Sequence, residues 1–318
     1  MNLNNFDCEF PIKPFERMIN YFGWESVCEW IKFWETNKLS DFKNNISSKY
    51  KNDWILGLLL PLLTSAFHLK KSSTERKIIG LSALPGTGKS SLGKLIKELS
   101  KYIDLNIAVI SIDDFYLPFQ DRKKIIKENP WGVSRGFPGT HSTELMLEKV
   151  LQWKASGMLN VPIFDKSLQN GLGDRSHWIK EYPDLVILEG WFLCVEPQAL
   201  YKSEDNSFSP ALRSSEISYR SQIQQNLRSY TEIWKLIDKV WHLKPREFEH
   251  MEKWKIQQEN ELLRMKGSAL ADQKLFDFLR MLRTSIPQKS FDQIKSDFLV
   301  LLNQDRKLNW VGLSEDFI

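Results

Sequence analysis

The stretch Lys77-Ile78-Ile79-Gly80-Leu81-Ser82-Ala83-Leu84-Pro85-Gly86-Thr87-Gly88-Lys89-Ser90-Ser91 decides how this chain is read. An apolar run at 77–82 predicts a strand, a glycine turn follows, and a helical pattern opens beyond it. Strand, glycine turn and helix in that order make a phosphate cradle. Gly86 and Gly88 let the backbone turn its N–H groups inward, and the following helix presents its N-terminal end to an anion. Candidate nucleotide contacts are Pro85, Gly86, Thr87, Gly88, Lys89, Ser90 and Ser91. Lys89 is placed to reach β- and γ-phosphates, and the Ser90 hydroxyl to ligate Mg²⁺. Such turns usually open on glycine, whereas Ala83 stands here; a small residue still lets the strand end pass close to the loop.

Outward from the cradle, short apolar runs alternate with helical patterns. Strands are expected at 77–82, 107–112, 185–188 and 240–243, and helices at 89–101 and 143–154. This alternation predicts an α/β fold with a parallel sheet covered by helices on both faces. A long helix is expected over 246–265, with Pro245 at its first position, and a last one over 273–284. Before the cradle, residues 11–68 read as helices, so residues 1–70 form a candidate helical cap on the unit 71–318. The polar segment 203–210 reads as a surface insertion.

Composition narrows the class. The chain has 318 residues, with 44 basic and 40 acidic side chains interspersed along it, so nucleic-acid binding is not implied. The three cysteines, Cys8, Cys28 and Cys194, lie far apart, with neither metal-ligand spacing nor a disulfide framework, which suits a reducing cytoplasm. The amino terminus resembles no signal or transit peptide, and the longest apolar stretch, 54–63, contains Gly57 and Pro61 and is too short to span a bilayer. No membrane association is therefore expected.

Chemistry-bearing residues follow at the strand ends. The run 107–112 closes in Asp113-Asp114-Phe115-Tyr116, putting two carboxylates where open parallel sheets bind ligands. Phosphoryl transfer to a hydroxyl needs a carboxylate that orients the nucleophile and takes its proton; Asp113 is the first candidate and Asp114 the second. The run 185–188 closes in Glu189, which can hold Mg²⁺ beside Ser90. Between these strands lie Arg135-Gly136-Phe137-Pro138-Gly139-Thr140-His141, Phe164-Asp165-Lys166-Ser167 and Gly171-Leu172-Gly173-Asp174-Arg175. Glycines interleaved with cations read as acceptor-binding loops: Arg135 and Arg175 can grip a carboxylate, Lys166 adds a charge, and Asp165 can accept from hydroxyls. His141 is a candidate donor to an anion, and Arg246 and Arg264 are candidate lid cations.

In order, these motifs together with Leu188-Glu189-Gly190-Trp191 resemble the D-glycerate 3-kinase family, within the P-loop small-molecule kinases that include uridine kinase, phosphoribulokinase and pantothenate kinase. The motif-bearing match runs from 77 to 195. The resemblance implies a P-loop sheet, ATP and Mg²⁺ as donor complex, D-glycerate as acceptor and 3-phosphoglycerate as product. By it, Lys89 and Ser90 bind ATP and metal, Asp113 is the base and shares the metal site with Glu189, and Asp114, Tyr116, Arg135, His141, Asp165, Lys166 and Arg175 line the acceptor site. Ser142 departs from the aspartate the family often carries after the histidine. Another small-molecule kinase of the group, acting on uridine, pantothenate or a sugar phosphate, is the alternative, and a nucleotide-dependent regulatory or chaperone nucleoside triphosphatase is the rival of a different class. No Asn-Lys-x-Asp motif for reading guanine is present, since Leu39 and Ser40 follow Asn37-Lys38.

Overall fold

The computed structural model describes residues 9–37, 52–198, 208–266 and 272–317. Most of the insertion read at 203–210 lies outside these residues, as does the middle of the N-terminal helical region.

The centre is a six-stranded sheet. Its strands are β1 (Lys77–Ala83), β2 (Ile107–Ser111), β5 (Leu185–Gly190), β6 (Lys239–Pro245), β7 (Phe298–Leu302) and β8 (Leu308–Leu313). They lie in the order β2-β5-β1-β6-β7-β8; all adjacent pairs are parallel except β7–β8. The two remaining strands, β3 (Leu159–Asp165) and β4 (Asp174–Glu181), pair separately as an antiparallel hairpin.

Period-two alternation distributes the sheet's side chains to two cores. Ile79, Leu81, Ile187, Trp241, Phe298 and Val300 face one cluster, shared with Phe15, Trp30, Leu62 and Leu63 of the N-terminal helices and Leu92 and Ile96 of the helix Lys89–Leu99. Ile78, Ile110, Val186 and Leu188 face the other, with Met146 and Trp153 of the helix Thr143–Ser156 and Ile223 of the helix Ser214–Leu227. The strand β5 is buried along its whole length, as the middle of a covered parallel sheet requires.

In the N-terminal region the helix running into Leu60–Ser72 widens to a π turn over Ile55–Leu59. Pro61 has no N–H to offer the carbonyl of residue 57, so the backbone inserts a residue there. The wider turn brings Gly57 close: a Cβ on it would lie 2.6 Å from Leu308 Cδ1.

Most strands and helices expected from the sequence stand where they were read. The long C-terminal helix begins later than expected, at His250, and Pro245 is the last residue of β6 instead of the first of the helix. The reason is a partner not read from the sequence: Pro245 pairs with Leu302 of β7, and the Arg246 N–H still donates to the Leu302 carbonyl at 2.8 Å. Also unread were both hairpins, β3–β4 and β7–β8, and the helices Phe119–Glu128 and Ser214–Leu227.

Candidate active site

Strand register assembles the site. Glu189 on β5 is level with Leu81 on β1 and with Ser111 on β2, so the cradle, Glu189 and the turn bearing Asp113 meet at one sheet edge. The cleft above that edge has a volume of about 530 Å³. Pro85, Gly86, Gly88, Lys89, Ser90, Ser91, Asp113, Asp114, Tyr116, Lys166 and Glu189 all line it.

The cradle has the expected backbone. Gly86 and Gly88 have φ of +81° and +96°, values a side chain resists. Lys89 curls onto the loop's own carbonyls, its Nζ 2.6 Å from the Ala83 oxygen and 3.1 Å from that of Leu84. Burial lowers its pKa, against the pull of Glu189 and Asp113. Thr87 does not face the cleft: it is fully buried, and its hydroxyl donates to the Leu84 carbonyl at 2.8 Å, closing the turn.

The two adjacent aspartates separate by geometry. Asp114 caps its own turn, one oxygen accepting the Ser111 N–H at 3.2 Å and the other the Phe164 N–H at 3.3 Å. Asp113 instead gathers side chains: the Tyr116 hydroxyl donates to it at 2.8 Å and the Lys166 ammonium at 3.0 Å. Burial would raise the Asp113 carboxyl, but Lys166 and His141 outweigh it and hold it well below the usual carboxylate range. Burial keeps Asp114 and Glu189 raised, the latter despite Lys89. Asp113 therefore stays an anion beside the phosphate loop, able to orient a hydroxyl.

Ser90, Asp113 and Glu189 offer the hard oxygen donors that Mg²⁺ prefers. Among the described residues no group of three or more His, Cys, Asp or Glu is placed to hold a metal alone. An ion here would need phosphate oxygens to complete its shell, as Mg²⁺ in nucleotide sites does.

The acceptor-side candidates divide. Tyr116 and Lys166 reach the cleft, whereas Arg135, His141, Asp165 and Arg175 are not among the side chains that line it. Arg135 donates to the Gly171 and Leu172 carbonyls at 3.0 and 2.9 Å. Arg175 donates through Nε to the Tyr116 carbonyl at 2.9 Å, and Asp165 accepts from the Ser167 hydroxyl and N–H. His141 lies behind Asp113, stacked on Tyr116 at 4.3 Å between ring centroids.

Three residues at the cleft and its loops had no sequence signal. Lys255, on the helix His250–Lys266, lines the cleft, whereas Arg246 and Arg264 are exposed and do not. Its Nζ pairs with Glu259, and burial lowers its pKa. Arg122 is fully buried and bonds the carbonyls of Leu117, Ser134, Leu172 and Gly173, caging the glycine turn beside the cleft. Arg306, in the β7–β8 turn, donates to the Gly86 carbonyl at 2.8 Å.

No family model matches the chain. An uncharacterized kinase of Schizosaccharomyces pombe is 29% identical over 64% of this chain and 76% of its own length. The chloroplastic D-glycerate 3-kinase of Arabidopsis thaliana is 31% identical over 64% of this chain, an alignment that spans 45% of the plant protein. Among solved structures, D-glycerate 3-kinase from Cryptococcus neoformans var. grubii superposes with a TM-score of 0.69 at 26% identity, over 79% of this chain and 96% of that one. With a nucleotide cradle at the edge of a parallel sheet and these relatives, the chain is a P-loop small-molecule kinase, a phosphotransferase with an alcohol acceptor, related to D-glycerate 3-kinase.

Proposed function

We propose that the enzyme transfers the γ-phosphoryl group of ATP to the 3-hydroxyl of D-glycerate, with Mg²⁺, giving 3-phospho-D-glycerate. The observation that carries this reading is the pair Asp113–Lys166, 3.0 Å apart in the cleft that also holds the cradle and Glu189. A small hydroxy acid needs one carboxylate for its hydroxyl and one cation for its own carboxylate, and this pair supplies both. The two relatives that bear the name D-glycerate 3-kinase support the same acceptor.

In this reading the bound ATP–Mg²⁺ supplies an activated phosphoryl group with part of its charge neutralised. The 86–91 amides and Lys89 hold the phosphates, Lys89 leaving the Ala83 and Leu84 carbonyls to do so. Ser90 and Glu189 would hold the metal. Asp113 orients the acceptor hydroxyl and takes its proton, and Lys255 places a positive charge in the same cleft, where charge develops. Lys166 would bind the acceptor carboxylate. Arg135, Arg175 and Asp165 act one step back, by holding the loops and Tyr116 in place. Residues 1–70 serve as a helical cap on the unit 71–318; the cluster they share with β1, β6 and β7 supports the two acting as one body. Among the described residues no helix is long and apolar enough to cross a membrane.

The test incubates purified protein with ATP, Mg²⁺ and D-glycerate, with uridine and pantothenate in parallel, and identifies the product isomer. Phosphoglycerate no more abundant than in an Asp113→Asn control refutes the acceptor, and the 2-phosphate refutes the regiochemistry.

A further inference from the structure

Tyr230 belongs to no motif and lies outside the cleft wall, yet its hydroxyl is 2.8 Å from His141 Nδ1. The same oxygen accepts the Gly139 N–H at 3.1 Å. A phenol has one proton to give, and Nδ1 is the acceptor within reach. A nitrogen that accepts carries no proton, so the neutral ring bears its proton on Nε2. That atom is buried without a hydrogen-bond partner and faces Asp113 Oδ1 at 3.9 Å. The ring cannot turn away: Tyr116 stacks on one face, and Phe192 and Tyr230 meet it edge-on at 5.7 and 5.8 Å.

We propose that Tyr230 is a positioning residue for phosphoryl transfer: its hydroxyl holds His141 in the Nε2–H tautomer, so that an N–H dipole backs the Asp113 carboxylate and keeps it aimed at the acceptor. The opposite tautomer would turn a lone pair toward the carboxylate and repel it. Tyr230 acts through His141, and His141 through Asp113; neither touches substrate. The inference rests on the reading of Asp113 as the group that orients the acceptor hydroxyl.

The chain has five histidines, so ¹⁵N-histidine labelling gives a tractable spectrum, in which loss of a signal on His141→Gln assigns the ring. Taken at pH 8, the proton–nitrogen correlation pattern of the wild-type ring should be that of Nε2–H, and Tyr230→Phe should shift it toward a mixture. Glycerate turnover by Tyr230→Phe should fall about tenfold in kcat, the worth of one buried hydrogen bond, with KM for ATP unchanged. In the His141→Gln background the same substitution should change kcat less than about twofold. A wild-type Nδ1–H pattern overturns the proposal, as does a Tyr230→Phe cost equally large in both backgrounds, which would make Tyr230 a packing residue. Should no acceptor be turned over, the functional reading fails separately, because the nitrogen pattern still decides the tautomer.

Discussion

Arg306→Ala tests whether the phosphate loop is held from outside its own motif. Arg306 Nε donates to the Gly86 carbonyl at 2.8 Å, Nη2 to the Trp254 carbonyl at 3.2 Å and Nη1 to Gln257 Oε1 at 2.9 Å. Its guanidinium lies over the Trp254 ring, 5.5 Å from the centroid. One fork thus ties the cradle to the helix that carries Lys255, a geometry lysine cannot reproduce. Because Arg306 is half-buried, each bond is worth about 1 kcal/mol, and the bond to Gly86 alone acts on the cradle. Truncation should therefore weaken binding of a non-hydrolysable ATP analogue about fivefold and lower global stability by about 3 kcal/mol. The turn itself supplies a control, since Arg306 has φ of +57°, where glycine is at ease and alanine strained by about 1 kcal/mol. Arg306→Gly should be about 1 kcal/mol more stable than Arg306→Ala without recovering nucleotide affinity. Calorimetric Kd and Tm for the two variants separate the effects. If both bind the analogue as tightly as wild type, or if affinity returns with stability in the glycine variant, the clamp is refuted.

Lys255→Ala should lower kcat on the order of 100-fold while leaving the KM for glycerate within about twofold, as expected for a charge felt in the transition state; a pure KM effect would reassign it to acceptor binding. Thr64→Val keeps shape but strips the acceptor shared by the Trp30 and Trp34 indoles, at 2.8 and 3.2 Å, so two buried donors are orphaned; denaturant unfolding should show a loss of about 2–4 kcal/mol. Gly86→Ala would set a Cβ 2.7 Å from Trp254 Cβ at a φ of +81°, so nucleotide binding should fall below detection even if the protein folds. Glu216, fully buried, accepts from Arg280 Nε and Nη2 at 3.0 and 2.8 Å; its carboxyl, desolvated but bonded to Arg280 and Arg213, is depressed from 4.5 to about 2. Between those values the unfolded chain binds the proton and the folded one does not, so stability from this group is full above the unfolded pKa and is lost as pH falls from about 4.5 toward 2. Glu216→Gln should flatten that part of the stability–pH curve; an unchanged slope would show the pair to be uncoupled from folding.

What was legible in the sequence shares one property: it is local. The cradle's glycines shape one turn through their backbone, Lys89 and Ser90 follow them directly, and Asp113 and Glu189 each close an apolar run, so these candidates stand out from their neighbours in the chain. Arg306 acts on Gly86 across 220 positions, from a hairpin whose strand β7 is apolar on both faces and so carries no alternating pattern. Arg135 and Arg175, read as acceptor contacts, bond loop carbonyls in the structure, and the sequence does not separate the two uses. An arginine beside a glycine-rich loop has the same signature whether it grips a substrate carboxylate or the loop itself, because turns with positive φ, as at Gly171 and Gly173, leave carbonyls that no regular ladder satisfies. Arg122 and Arg135 both bond the Leu172 carbonyl, and Arg122 also takes that of Gly173, against which Phe164 packs so closely that a Cβ there would lie 2.4 Å from its ring. The glycines are thus set by close packing and the arginines by the carbonyls the glycines expose. Lys166 differs: its ammonium is bound to Asp113, which gathers side-chain donors, whereas Asp114 is taken up as a cap by the Ser111 and Phe164 N–H groups, and two adjacent aspartates carry no mark in the sequence of which will cap and which will gather a cation.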